Sequence, residues 1–145
     1  MNTTTKEATM PTIAWDAHKR FCSDTLTTAI EGGINYWALG RKFLRVDEDA
    51  EEMALCYLGC EIKPDPAEGA AFDQGDKRNG WQAITLDSIA AAVALILSDA
   101  GKGLLRKDIR EDILIDWNDA DACRSDAETA DVIVQIALFG EIVFG

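Results

Sequence analysis

The spacing of apolar residues predicts that the chain begins with an amphipathic helix. From Trp15 to Ile30, apolar side chains recur at intervals of three, four and seven residues, which places them near one face of a helix over residues 13–31. Gly32 and Gly33 follow directly. Glycine enters the left-handed conformation without steric cost, so the pair is expected to cap the C-terminus of this helix.

Three later segments have the patterns of strands. Residues 34–46 are rich in aromatic and branched side chains and contain no proline. Residues 53–63 alternate, which puts Cys60 and Ile62 on the same side of a strand. Residues 81–85 form a third short extended run.

The connections between these strands are polar. The first is the turn "DEDAEE" at residues 47–52, and the second is a longer connection over residues 64–80. The long connection has two prolines and three glycines, which are typical of a loop. Loops of this length are uncommon in small domains and often have a function.

The second half of the chain predicts further helices. Thr85 is expected to cap a helix over residues 86–98, whose apolar run suggests a central buried helix. Leu105, Ile109 and Ile113 repeat every four residues and indicate another helix. The last helix is expected to begin with a capping box and to end at a glycine; the capping box is Ser125–Glu128 and the glycine is Gly140.

The order of these elements favours an α+β fold. We expect a small antiparallel three-stranded meander packed against about four helices, with residues 141–144 as a possible short fourth strand. Residues 1–11 are polar and are expected to form a flexible tail, followed by a single domain over residues 12–145.

Two adjacent aromatic residues in the first predicted strand are expected to differ in burial. Successive side chains of a strand point to opposite faces, so Tyr36 and Trp37 should diverge. We expect Trp37 to pack in the core. Tyr36 is then exposed or covered by another element, and an exposed aromatic residue could anchor a partner.

Length and composition agree with a protein of the cytoplasm. The chain has 145 residues, of which 48% are hydrophobic and 28% charged. The longest apolar run, Ile89–Leu97, is far shorter than the roughly 20 residues that a membrane span needs. We therefore expect a cytoplasmic protein with no membrane partner.

No arrangement of nucleophiles or metal ligands predicts catalysis. His18 is the only histidine, and neither Cys22 nor Ser23 lies in a motif of nucleophilic enzymes. A zinc site built from His18, Cys22, Cys56 and Cys60 is conceivable, but the CxxC pairs of such sites are missing. Free cysteine is commonly a small buried apolar residue. We expect no enzymatic activity, no catalytic residue, no metal and no cofactor.

The formal net charge of −12 is concentrated in two acidic blocks. Residues 47–76 contain ten acidic and one basic side chain, and residues 108–131 contain nine acidic and two basic side chains. Such charge disfavours direct binding to nucleic acid and suits a basic protein surface. An acidic surface that only keeps the protein soluble is the plainer interpretation. The candidate partner-binding residues are Asp47, Glu48, Asp49, Glu51, Glu52, Asp73, Asp76, Asp108, Glu111 and Asp112.

Three sequence blocks carry a family resemblance. The blocks "EGGINYWA", "WQAITLDSIA" and "DAETADVIVQIALFGEIVFG" resemble a family of small proteins, without an agreed activity, that is scattered through bacteriophages, prophages and plasmids. The resemblance implies a mobile element as the setting and assigns no catalytic residue.

Together, the resemblance and the charge favour a counter-defence protein. The leading hypothesis is a non-enzymatic protein that inhibits a host nucleic-acid-handling defence complex, in the manner of an anti-CRISPR protein, by binding the basic surface of a protein or ribonucleoprotein. A homo-oligomeric structural or housekeeping protein of the element is the first alternative. A protein that sequesters a small nucleotide is the second.

Overall fold

Four helices and a three-stranded sheet make up the described structure. A computed structural model describes residues 18–46, 57–65, 72–73 and 75–145, with the backbone alone at residues 40–46, 57–58 and 120. The elements are α1 over residues 18–28, a π-helical turn at Ala29–Gly33, β1 Ala38–Val46, β2 Tyr57–Pro64, β3 Gln82–Thr85, α2 Leu86–Leu97, α3 Lys107–Asn118 and α4 Ala127–Phe139, with 3₁₀ turns at Lys77–Asn79 and Ala120–Ala122.

The sheet is antiparallel, with the strand order β1-β2-β3. Cys60 of β2 lies opposite Ile84 of β3, and both side chains are fully buried together with Ile62. This confirms the α+β class and the alternation predicted for the second strand. Residues 141–145 form no strand, so the possible fourth strand is absent there.

α4 is the most deeply buried helix of the described part. Ala130, Ile133, Val134 and Ile136 are all buried, and the helix contacts α2, β3 and the π-helical turn. The sequence pointed instead to α2 as the central helix. That prediction is wrong, because Leu95 is 38% exposed and α2 buries a single face.

The predicted caps of α2 and of the end of α4 are confirmed. The Thr85 hydroxyl accepts from the Ser88 amide, and the Ser88 hydroxyl oxygen accepts in turn from the Thr85 amide. Gly140 takes the left-handed conformation after α4, and its amide donates to the Ile136 carbonyl.

α3 is also found where the apolar repeat predicts it, with Ile109 and Ile113 buried. The neighbouring Arg110 side chain joins α3 to α2. Its guanidinium donates to the carbonyls of Ile96 and Leu97, each over 3.0 Å. These carbonyls belong to the last turn of α2, where cations are favourable.

The segment predicted as the start of the first strand is a turn. Residues 34–37 form hydrogen-bonded turns, with the Ala38 amide bonded to the Ile34 carbonyl, and β1 begins only at Ala38. Trp37 is fully buried as expected, and Tyr36 is 44% exposed. The two side chains do not lie on opposite faces of a strand, because α4 provides hydrogen-bond acceptors for both of them.

The glycine pair also has a different role from the predicted left-handed cap. Neither Gly32 nor Gly33 has a positive φ, and both belong to the π-helical turn. A Cβ atom on Gly33 would lie 2.7 Å from the backbone oxygen of Ala127, whereas a Cβ on Gly32 would meet nothing within 4 Å. Gly33 is therefore required for close contact with the first residue of α4.

A buried carboxylate on α4 binds both aromatic residues of the turn. Asp131 accepts from Trp37 Nε1 over 2.7 Å and from the Tyr36 hydroxyl over 2.5 Å. It also accepts from Gln135 Nε2 over 2.9 Å. Burial, followed by the bond to Asp131, raises the pKa of the Tyr36 phenol. The turn is thereby fixed against the middle of α4.

Gln135, one turn later on α4, binds the C-terminal segment. Its side-chain oxygen accepts from the amides of Val143 and Phe144, over 2.8 and 2.7 Å, and its nitrogen donates to the Phe144 carbonyl. The Phe144 ring then stacks on Trp37, with centroids 5.0 Å apart and planes 1° apart. Asp131 and Gln135 thus join the turn to the C-terminus of the chain.

The long connection between β2 and β3 contributes to the same aromatic cluster. Phe72 is buried and its ring centroid lies 5.1 Å from that of Phe139. The guanidinium carbon of Arg78 lies 4.2 Å from the Phe72 ring centroid, a distance at which a cation–π contact forms. At least this part of the predicted loop packs against the core.

Removing the Asp131 carboxylate should destabilise the fold. In Asp131→Ala the Trp37 indole and the Tyr36 hydroxyl lose their acceptor, and a buried unsatisfied polar group costs about 1–3 kcal/mol. We expect a loss of about 3 kcal/mol or more in the free energy of unfolding, measured with urea. Asp131→Asn retains one acceptor oxygen and should lose clearly less. Equal losses for the two variants would contradict this role.

Substituting the two adjacent glycines should give opposite results. Gly33→Ala forces Ala127 to move and should destabilise the protein by about 1–3 kcal/mol. Gly32→Ala meets open space and should be neutral or slightly stabilising, because alanine loses less backbone entropy than glycine. Thermal unfolding of both variants measures the contrast, and a Gly32→Ala variant that unfolds at the lower temperature would refute the assignment.

Candidate functional site

A cavity of about 260 Å³ lies between α1, the end of α3 and the beginning of α4. It is bordered by both polar and apolar side chains, among which Phe21 and Ala130 provide apolar surface. The polar residues that matter for its chemistry are Asp24, Thr27, Asp116, Cys123, Ser125 and Asp126.

The wall contributed by the α3–α4 connection is held by a buried carboxylate. Asp116 of α3 is 4% exposed, and it accepts from the Arg124 amide over 2.9 Å and from the Ser125 amide over 2.6 Å. Cys123, directly before these two residues, takes the left-handed conformation with φ of 53°. That conformation is uncommon for a residue with a side chain, so the Asp116 bonds help to maintain a tight bend.

The next wall residue caps α4, one position later than the sequence predicted. Asp126 is the N-cap, and its Oδ1 accepts from the Thr129 amide over 3.0 Å and from the Thr129 hydroxyl over 3.2 Å. The predicted Ser125–Glu128 capping box is therefore wrong. The Ser125 amide is bound to Asp116, which keeps this serine outside the helix.

Two residues that line the cavity have hydroxyl oxygens without partners in the described part, and for Ser125 this follows from the change of cap. Ser125 Oγ and Thr27 Oγ1 are buried oxygens with no hydrogen-bond partner among the described residues. Both residues line the cavity. Buried polar groups in proteins are generally hydrogen-bonded, so these two oxygens are exceptions to the rule.

The charge of the cavity wall is negative. Asp24, Asp116 and Asp126 contribute three carboxyl groups, and no basic residue is among the described lining residues. Arg20 lies near the rim, where it contacts Asp24 over 3.9 Å and Asp121 over 3.0 Å. Both contacts are between exposed or half-exposed side chains, which compensate the charge only weakly.

The predicted partner-binding residues fall in three places along the chain, and none of those that the structure describes lines the cavity. Residues 47–52 of the first acidic block lie outside the described residues, so Asp47, Glu48, Asp49, Glu51 and Glu52 remain predictions. Asp73 is exposed beside the Lys77–Asn79 turn. Asp76 caps that turn and binds Arg78 over 2.7 Å, and the hydrogen bonds from Arg78 lower the pKa of Asp76 to about 2.

The other three predicted residues lie on α3. Asp108 pairs with Arg106 over 3.2 Å, which lowers the pKa of the carboxyl, and Glu111 lies 4.0 Å from Lys107. Asp112 is half-buried and pairs with no basic side chain of the described part. These residues lie on the helix that leads into the α3–α4 connection, and that connection lines part of the cavity.

His18 and Cys22 are packed against other side chains of the fold. The His18 ring stacks on Trp117 with centroids 3.7 Å apart, and burial lowers its pKa. Cys22 is fully buried; burial, and then the nearby Asp87, raises its pKa to about 12. Cys56 lies outside the described residues, and within them no three histidine, cysteine or acidic side chains are grouped to hold a metal.

Comparison of the chain with protein-family models, with curated proteins and with solved structures finds no match. Among the described residues, no helix is long and apolar enough to cross a membrane. The function must therefore be argued from the geometry and charge of the molecule itself.

Sequence reasoning missed the cavity because its residues are far apart in the chain. Thr27 and Asp24 belong to α1, about 100 residues before Ser125 and Asp126. One signal was available: "CRSDAE" offers two candidate N-caps, Ser125 and Asp126, and only one can cap the helix. The residue that does not cap is left with an unused side chain.

Proposed function

We propose that the protein is a non-enzymatic binding protein of a phage or related mobile element, which inhibits a host nucleic-acid-handling defence complex by covering its basic surface. The observation that carries the proposal is the acidic surface over residues 108–128, next to the cavity. We call this surface, formed by Asp108, Glu111, Asp112, Asp119, Asp121, Asp126 and Glu128, the α3–α4 acidic face.

The acidic face keeps most of the negative charge that the local sequence carries. Only Arg110 and Arg124 are basic between residues 108 and 131. Arg110 is half-buried and directs its guanidinium to the carbonyls of α2, so it is committed to the structure. Of the nine acidic residues in this segment, only Asp116 and Asp131 are buried. Seven carboxylates thus remain at or near the surface.

Local ion pairs do not neutralise this face. Arg106 bridges Asp108 and Glu128, with nitrogen–oxygen distances of 3.2 and 3.1 Å. All three side chains are more than half exposed, so water screens the pairs and the carboxylates stay available to a partner. The bridge also shows that the beginning of α3 lies close to the beginning of α4.

An acidic face of this kind provides a simple mechanism for inhibiting a protein that binds nucleic acid. Nucleic-acid-handling proteins bind phosphates through grooves of lysine and arginine. A protein whose carboxylates are held by helices can occupy such a groove and exclude the nucleic acid. Complementary charge also raises the rate of association and makes it sensitive to salt. The resemblance to proteins of mobile elements favours a host complex as the target.

The self-association alternative has its own supporting observation. In the described part, β1 pairs only with β2, so its other edge has nine residues of backbone without a strand partner. Leu39 on β1 is 58% exposed. Long edge strands of this kind can pair with a second copy of the chain. In this alternative, the sheets of two copies would join along their β1 edges into one six-stranded sheet.

The nucleotide-sponge alternative has less support from the cavity. Three carboxyl groups would repel the phosphates, and the described lining offers no lysine or arginine to compensate. The cavity volume of about 260 Å³ is also below the roughly 300–1,000 Å³ of sites for drug-sized ligands.

Reversing charge on the acidic face tests the proposal. In the triple variant Glu111→Lys, Asp112→Lys, Asp121→Lys, we expect association with the basic complex captured by the wild-type protein to slow by roughly tenfold or more at low salt. The partner is captured from bacterial lysate, identified by mass and purified. Association rates are then measured by biolayer interferometry at two salt concentrations, together with displacement of nucleic acid from the complex.

A matched control changes the net charge equally elsewhere. Glu31→Lys, Asp99→Lys, Glu141→Lys alters exposed residues outside the acidic face, so its association rate should stay close to that of the wild-type protein. Equal slowing in both triple variants would show that net charge alone acts. Unchanged displacement of nucleic acid by the first variant would refute the proposed function.

A further inference from the structure

We propose that the solvent-facing side of α3 is the docking site for an amphipathic helix of the basic partner, with Leu114 and Ile115 as its apolar anchors. This inference rests on the proposed function and deepens it, because it names the element that the partner presents. The partner helix has an apolar stripe that covers the two anchors, and lysine or arginine residues on both sides of that stripe.

The first observation is the exposure of two large apolar side chains on a charged helix. Leu114 is 43% exposed and Ile115 is 38% exposed, and they are adjacent in the chain. The buried side of α3 consists instead of Ile109, Ile113 and Asp116. A single exposed apolar residue is ordinary in a soluble protein. An apolar pair surrounded by polar residues is the composition of a contact site, with an apolar centre and a polar rim.

Helix geometry places this pair in the middle of the exposed face of α3. The four residues Glu111, Leu114, Ile115 and Asn118 are all exposed. Their spacing of i, i+3, i+4 and i+7 corresponds to one continuous face of a helix. A polar residue therefore lies one turn before the apolar pair and another lies one turn after it. Faces with this spacing pack against a second helix, whose side chains fit between their ridges.

The charges around the pair determine the charge of the partner helix. Carboxylates precede the pair on α3 and follow it in the connection to α4. They belong to Asp108, Glu111, Asp112, Asp119 and Asp121. Basic neighbours pair with two of them at the beginning of α3, but these pairs are exposed and water screens them. A helix with basic flanks complements this border, whereas an acidic helix is repelled.

The end of α3 gives an independent argument for a cation from the partner. The last carbonyl groups of a helix carry partial negative charge, which favours a cation beside them. Within the described helix α3, the last turn has no basic residue, and Asp119 is the C-cap. Asp121 follows, and its 81% exposed side chain pairs with Arg20 over 3.0 Å. A lysine or arginine of the partner near this end would reduce the repulsion between these carboxylates and the helix end.

Two synthetic peptides test the docking site on the full wild-type chain. The first is a helix of leucine, lysine and alanine, about 18 residues long, with leucines at i, i+3, i+4 and i+7 and lysines on both flanks. The second has the same composition with the leucines spread around the helix. We expect the first peptide to bind at least roughly tenfold more tightly, because only its leucines can cover the anchors together. Equal binding of the two peptides would overturn the inference.

A matched pair of double variants locates the binding site. Leu114→Gln with Ile115→Gln removes the anchors and keeps every charge, so the first peptide should bind roughly tenfold more weakly. Leu39→Gln with Ile142→Gln makes the same chemical changes on β1 and after α4, where these side chains are 58% and 37% exposed. This control should bind as the wild-type protein does. Equal weakening in the two variants, or full binding without the anchors, would overturn the inference.

Binding rates distinguish a wrong docking site from a wrong function. With the purified basic complex, Leu114→Gln with Ile115→Gln should raise the dissociation rate roughly tenfold and change the association rate less than about twofold. The charge-reversed triple variant should mainly slow association. If only the triple variant loses binding, the proposed function stands and the docking site is wrong. If neither variant changes binding, both proposals are wrong.

A second copy of the chain is the other occupant that the same measurements identify. The proposal predicts that loss of the two anchors leaves the oligomeric state unchanged, as determined by size-exclusion chromatography with light scattering. A wild-type dimer that becomes a monomer in Leu114→Gln with Ile115→Gln would overturn the proposal. The exposed face of α3 would then be an interface between two copies.

Discussion

The buried hydrogen-bond network of Asp131 and Gln135 is the constraint on which the arrangement of the other elements depends. A buried carboxylate is costly unless donors surround it, and the donors come from Trp37, Tyr36 and Gln135 itself. Gln135 then binds the backbone of residues 143–144. Since Tyr36 and Trp37 lie about 95 residues before Asp131, one turn of α4 joins the turn before β1 to the C-terminal segment.

The same device recurs in the α3–α4 connection, on the side of the molecule that we propose binds the partner. Asp116 binds two amides of the α3–α4 connection and so fixes the bend before Asp126. The buried acidic residues are thus structural, and the exposed ones stay at the surface around a cavity. Donors compensate the buried carboxylates, whereas water and salt screen the exposed ones.

Local sequence patterns correctly predicted the helices and caps that depend on neighbouring residues. They failed where residues distant in the sequence determine the conformation. The repeat of Ile109 and Ile113 and the cap at Thr85 are local, and both were found. The "INYW" segment has the composition of a strand, yet side chains of α4 bind Tyr36 and Trp37 and hold the segment in a turn. Ser125 does not cap α4 as predicted for a similar reason, because its amide donates to Asp116. The cavity could not be predicted, since it forms only when α1 meets the α3–α4 connection.

The central claim is that the α3–α4 acidic face binds the partner. Hydrogen–deuterium exchange of the protein alone and bound to the captured basic complex tests this claim most directly. The account predicts slower exchange on binding at residues 108–128, with little change along β1. Protection confined to β1, with unchanged exchange at residues 108–128, would contradict it and would favour association through the sheet edge.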